Sequence, residues 1–63
     1  MITARIPARE LCVGDFIYRE GEATTVSDTL DGKVFARVGK KALLYAPDER
    51  VSIVIEDNEG RVR

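Results

Sequence analysis

The chain has 63 residues, with ten basic and eleven acidic side chains and a net charge of −1. This length suffices for one domain, residues 1–63, which buries only about 60% of the surface that it exposes when unfolded. Because histidine is absent and Cys12 is the single cysteine, a catalytic histidine, a four-ligand zinc site and an internal disulfide are excluded. We therefore expect a non-enzymatic protein that uses no cofactor and no metal.

The distribution of apolar residues indicates where the protein resides. No apolar run approaches the roughly 20 residues of a transmembrane helix. The first ten residues lack a secretory hydrophobic segment, and a lone cysteine suits a reducing compartment. We expect a cytoplasmic protein that makes no contact with a membrane.

The N-terminal third predicts two strands with a turn between them. Apolar and polar residues alternate over 2–6, which indicates a strand, and Pro7 should end it and open one helical turn over 7–11. Gly14-Asp15 is typical of a tight turn leading into a second strand. Residues 19–22 predict a polar loop with Gly21 at its tip. The predicted buried residues of this part are Leu11, Val13, Ile17 and, as a small apolar side chain, Cys12.

Residues 24–46 predict a meander of three strands, with turns at Asp31-Gly32 and Gly39-Lys40. A two-residue first turn would pair Leu30 with Lys33 and mix apolar and charged residues on each face. A three-residue loop with Gly32 as a bulge would instead pair Thr29 with Lys33 and collect the apolar residues on one face, so we favour it. The core face is then Val26, Val34, Ala36, Val38, Leu43 and Tyr45.

The C-terminal part predicts a turn followed by the clearest strand of the chain. Residues 46–50 are compatible with a short 3₁₀ segment. In the strand over 51–56, Val51, Ile53 and Ile55 point to one side. Residues 57–60 carry a further turn signal, and residues 61–63 either pair back as a short strand or fray.

This order of elements resembles a small SH3-like β-barrel, in which a 3₁₀ turn precedes the closing strand. The opening pattern, IPAREL at 6–11 followed by VGDFI at 13–17, is similar to short actinobacterial and actinophage proteins of that kind. The resemblance implies an all-β fold, namely a five-stranded SH3-like barrel with a short helical or 3₁₀ turn. It assigns no functional residue, because this fold supports many unrelated functions.

The second face of the predicted meander is the candidate functional surface. There, Phe35 and Leu44 form an apolar pair beside Lys33 and Arg37, and either another segment covers the pair or a partner contacts it. We favour a phage or bacterial accessory protein that docks on a protein partner here, with Tyr18 at the margin. An apolar centre ringed by charge is the usual anatomy of such a contact.

Two alternatives remain open for this surface. Residues 32–50 carry a net charge of +3, so Lys33, Arg37, Lys40 and Lys41 could contact nucleic-acid phosphates while Phe35 or Tyr18 stacks on a base. The isoelectric point of about 5.3 opposes that reading. Alternatively, exposed edge strands could pair with another copy of the chain and give a self-assembling structural protein.

Overall fold

The computed structural model describes residues 1–56 and shows two antiparallel sheets, which confirms the predicted all-β fold. The first sheet has the strand order β1-β7-β2-β3, and the second is the meander β4-β5-β6. Within the described residues there are seven strands rather than the five predicted, and neither sheet is closed. The strands are β1 Ile2–Pro7, β2 Phe16–Ile17, β3 Gly21–Glu22, β4 Thr25–Asp28, β5 Val34–Val38, β6 Lys41–Tyr45 and β7 Arg50–Glu56.

Both sheets contribute side chains to one hydrophobic core. The first sheet supplies Ile17, Val51 and Ile53, and the 3₁₀ turn and its flanks add Ala8 and Leu11. The predicted core face of the meander is confirmed. Val34, Ala36 and Val38 are buried, while partly buried Val26, Leu43 and Tyr45 pack against them.

Pro7 occupies a different position from the one predicted. It is the last residue of β1, paired with Arg50, and it precedes a 3₁₀ turn over Ala8–Glu10 instead of starting it. The Leu11 N–H closes that turn on the Ala8 carbonyl oxygen at 3.0 Å. A terminal strand position tolerates proline because the ladder does not need its missing N–H there.

The turn before β2 reverses two of the burial predictions. Cys12 is exposed and Val13 is 64% exposed, whereas Asp15 is buried. Two local hydrogen bonds explain this reversal. Asp15 Oδ2 accepts the Cys12 N–H at 2.9 Å, and the Asp15 N–H donates to the Cys12 carbonyl oxygen at 3.1 Å. These two bonds turn the carboxylate inward and leave Cys12 and Val13 at the outside of the turn.

Gly21 lies in β3, paired with Ile17, and not at the tip of a loop as predicted. The turn instead spans residues 17–20, where the Glu20 N–H donates to the Ile17 carbonyl oxygen at 3.0 Å. Gly21 has a φ of +128°, and a Cβ atom there would lie 2.9 Å from Val38 Cγ1. Glycine is therefore needed both for the backbone conformation and for the close approach of β5.

The favoured register of the first hairpin is the one observed. Val26 pairs with Ala36, and the Thr29 N–H donates to the Lys33 carbonyl oxygen at 2.9 Å across a three-residue loop. Gly32 has a φ of +83°, as a bulge residue requires. In the second hairpin Gly39 has a φ of +58° and Lys40 a negative one, which fits the predicted type II′ turn.

Residues 46–49, before the last described strand, do not form the 3₁₀ segment that the sequence predicted. The Glu49 N–H bonds the Ala46 carbonyl oxygen at 3.1 Å, which makes a simple turn and not a 3₁₀ segment. The strand that follows is confirmed as β7. Val51 and Ile53 on one side of it belong to the core, and Val54 on the other side is also buried, at 6% exposed, so β7 is covered on both sides. The turn and terminal strand predicted for 57–63 lie outside the described residues.

Candidate binding faces

The outer face of the meander is built from rows of side chains that cross its three strands. Ser27, Phe35 and Leu44 form the middle row, because Ser27 pairs with Phe35 and Phe35 pairs with Leu44. Arg37 lies in the next row on one side and Lys33 beyond the end of β5 on the other. We call Lys33, Phe35, Arg37 and Leu44 the meander face.

The apolar centre of the meander face is accessible. Leu44 is 56% exposed, and Phe35 is half-buried. The Arg37 guanidinium carbon lies 5.8 Å from the centroid of the Phe35 ring, within the range of a cation–π contact. By strand alternation the outward residues of β4 and β6 are uncharged, so the rows themselves carry only the charges of Arg37 and Lys33. The carboxylate of Asp31 in the adjacent hairpin loop interacts electrostatically with Lys33. The face is therefore a small apolar pair between two cations.

The four cations predicted to contact nucleic acid do not share one face. Lys41 pairs with Val38, a core-facing residue, and its Nζ lies 3.3 Å from Glu20 Oε1. This ion pair carries Lys41 away from Arg37 and toward the first sheet. Lys40 lies in the turn between β5 and β6. Only Lys33 and Arg37 flank the Phe35 ring.

Tyr18 belongs to the other sheet and not to the margin of the meander face. It follows β2, and its N–H donates to the Ser52 carbonyl oxygen of β7 at 2.9 Å. Since its neighbour Ile17 is buried in the core, alternation turns the Tyr18 ring to the outer side of the first sheet. The ring is 39% exposed, and the Arg19 guanidinium carbon lies 5.3 Å from its centroid.

Two further arginines lie beside Tyr18 on the outer side of the first sheet. Arg5 of β1 is directly opposite Ser52, and Arg50 precedes Ser52 by two residues on the same strand. Both are exposed. We call Arg5, Tyr18, Arg19 and Arg50 the arginine–tyrosine face. Sequence reasoning missed this grouping because the three arginines are far apart along the chain and meet only through the strand order β1-β7-β2.

Two titratable groups of the described residues have shifted pKa values. Burial raises the pKa of Tyr45, and the carboxylates of Glu20 and Glu49 raise it further. A hydrogen bond from the Thr29 hydroxyl lowers the pKa of Asp31 in the hairpin loop. Both groups serve the fold, because Tyr45 packs against the core and Asp31 fixes the loop conformation.

The described residues contain no grouping suited to metal binding. Within residues 1–56, no three cysteine or carboxylate side chains lie close enough together to hold an ion. No helix in this part of the chain is long and apolar enough to cross a membrane. No protein-family model matches the chain, and no curated protein or solved structure matches it.

Proposed function

We propose that the protein is a non-enzymatic binding module that docks on a protein partner through the meander face. The observation that carries this proposal is the accessibility of Leu44, which is 56% exposed on the edge strand β6 and lies opposite Phe35 of the central strand β5. An exposed large apolar residue on a sheet face, bordered by cations, has the composition of an interface centre with a charged rim.

The charges of the meander face restrict the chemistry of the partner. Lys33 and Arg37 flank the apolar pair, and the acidic neighbour of these rows is Asp31, which interacts with Lys33 from the hairpin loop. We propose a partner that offers an apolar pocket or ridge bordered by carboxylates, since complementary charge increases the rate and specificity of association. Arg37, which already lies over the Phe35 ring, would bridge the apolar centre and the acidic rim.

The test compares two substitutions at exposed apolar residues. Leu44→Asp places a negative charge at the centre of the meander face, and Val13→Asp places the same charge at a turn of the other sheet, where the side chain is 64% exposed. Immobilised wild-type protein and both variants are incubated with a lysate of the organism that encodes the chain. We expect Leu44→Asp to lose partners that the wild type and Val13→Asp both retain.

A photo-reactive amino acid at position 44 then identifies what lies on the face. Crosslinking to another protein, prevented by Arg37→Glu, supports the proposal. If position 44 crosslinks only to a second copy of the chain, and the mass of the protein in solution rises with its concentration, the face is a self-assembly surface and the docking proposal is wrong. Equal retention of partners by Leu44→Asp and the wild type contradicts it.

We further propose that the two sheets belong to an SH3-like barrel. The shared core supports this, as does the bond from the Thr24 N–H to the Arg37 carbonyl oxygen at 2.9 Å where the chain passes from the first sheet to the second. An experimental structure of the whole chain is the test. Continuous backbone pairing around both sheets is expected, and an open two-layer arrangement would contradict the barrel.

A further inference from the structure

We propose that the arginine–tyrosine face is a binding site for single-stranded nucleic acid. This site lies on the other sheet from the meander face and is independent of the docking function proposed above. Its elements are three exposed arginines and one exposed aromatic ring, brought together by the pairing of β1, β7 and β2.

The spacing of the arginines follows from sheet geometry. Neighbouring strands lie roughly 5 Å apart, and residues two positions apart on a strand are separated by roughly 7 Å. Arg5 therefore starts about 10 Å from Tyr18 across β7, and Arg50 about 8 Å from it along the diagonal. Arg19 reaches the ring itself, at 5.3 Å from its centroid. Three guanidinium groups can thus surround a single aromatic ring.

The three arginines of this face form no ion pair with a carboxylate of residues 1–56. Within residues 1–56 the ion pair is Lys41 with Glu20, so none of the three arginines takes part in one there. Glu22 is opposite Phe16, in the next row away from Arg50. Three arginines against Glu22 leave an excess of positive charge around Tyr18 and Ser52, although the chain as a whole carries −1.

The polarity of the face favours nucleic acid over a protein or a membrane. Ser52 lies at its centre, Val54 in the next row is only 6% exposed, and Phe16 opposite Val54 is half-buried. Within residues 1–56, the exposed apolar residue on this side of the sheet is Ile2, which lies opposite Glu56, two rows away from Ser52. The surroundings of Tyr18 therefore offer little apolar surface to insert into a bilayer or to fill a protein pocket. Phosphates of a single strand suit the guanidiniums, and an unpaired base offers a flat surface to stack on tyrosine, which a duplex does not.

The experiment measures binding of a fluorescent oligothymidine by anisotropy over a series of salt concentrations. Contacts from three arginines to phosphates predict that log K falls against log salt with a slope of about −2, since each contact contributes about 0.7 for single strands. Arg5→Gln and Arg50→Gln should each reduce the slope by about 0.7. Lys40→Gln, which removes the same charge from a turn of the meander, should leave it unchanged.

Substitutions of the tyrosine separate stacking from simple charge attraction. We expect Tyr18→Ala to weaken binding by about tenfold and Tyr18→Phe, which keeps the ring, to bind within about twofold of wild type. Thermal melts of each variant check folding. The proposal is overturned by no binding at low salt, by equal affinity of Tyr18→Ala, by equal affinity for a duplex of the same length, or by loss of binding in Lys40→Gln. It is likewise overturned if vesicles of anionic lipid or an acidic peptide displace the oligonucleotide at equal charge concentration.

Discussion

Single residues fix the close contacts between the two sheets, and Gly21 is the clearest case. Its φ of +128° is strained for any side chain, and the space for a Cβ atom is taken by Val38 Cγ1 at 2.9 Å. We expect Gly21→Ala to lower the free energy of unfolding by about 2–4 kcal/mol, from backbone strain and overpacking together. Urea denaturation followed by circular dichroism provides the measurement.

Gly14 offers a matched control for this substitution. It also has a positive φ, at +98°, but nothing lies within 4 Å of the position that a Cβ atom would take. Gly14→Ala should therefore cost only the backbone term, about 1 kcal/mol. If the two variants lose equal stability, the contact between Gly21 and Val38 does not constrain the packing of β3 against β5.

Tyr45 links stability to alkaline pH. Its pKa is raised by burial in the folded protein, so folding favours the neutral phenol. This contribution is complete below the unfolded pKa of about 10 and is lost as the pH rises through the higher folded pKa. We expect the stability of Tyr45→Phe to fall less than that of wild type between about pH 9 and about pH 11, in urea denaturation at each pH. Parallel curves for the two proteins would contradict this role.

At the scale of elements, the hairpin between β4 and β5 sets which side chains face the partner and which face the core. Leu30 is fully exposed in its three-residue loop. Deleting Leu30 leaves Asp31-Gly32 as a two-residue loop and keeps Thr29 opposite Lys33, so no side chain changes face. We expect this deletion to change the free energy of unfolding by no more than about 1 kcal/mol.

Deleting Ser27 should have a very different effect, although it also removes an exposed residue of the same hairpin. The residues before it then shift by one position, which turns Val26 out of the core and Thr25 into it. We expect a clear loss of stability for this deletion alone, measured by thermal unfolding of both variants. Similar losses would indicate that the register of β4 is not fixed by the core face.

The register of the meander could be predicted from the sequence because the alternation of apolar and polar residues within residues 24–46 is sufficient to determine it. Only one register collects Val26, Val34 and Ala36 on one face, and the turn glycines agree with it. The turn before β2 could not be predicted in this way. There, a hydrogen bond from the Cys12 N–H to the Asp15 carboxylate overrides hydrophobicity, burying the aspartate and exposing Val13.

At the scale of the whole molecule, the two candidate faces differ in how far sequence reasoning could reach them. The meander face comes from residues 33–44, so local pairing predicts it. The environment of Tyr18 depends on Arg5 and Arg50, which join it only when β7 lies between β1 and β2. That strand order is a long-range property with no local signature, so the sequence does not indicate which arginines lie beside Tyr18.

The two outer surfaces give this small protein separate places for two ligands. The meander face carries an apolar pair between two cations, and the arginine–tyrosine face carries three arginines around a ring. They lie on different sheets, whose inner sides share one core. Loss of one activity by surface substitution should therefore leave the other intact.

The central claim is that Phe35 belongs to a contact surface and not to the core. Free energy of unfolding and retention of the partner, measured on the same preparation of Phe35→Ala, test it directly. We expect a stability loss of about 1 kcal/mol, because the ring is only half-buried, together with at least tenfold weaker retention of the partner. A loss of about 3–5 kcal/mol, as for a phenylalanine in a core, with unchanged retention of the partner would contradict the account.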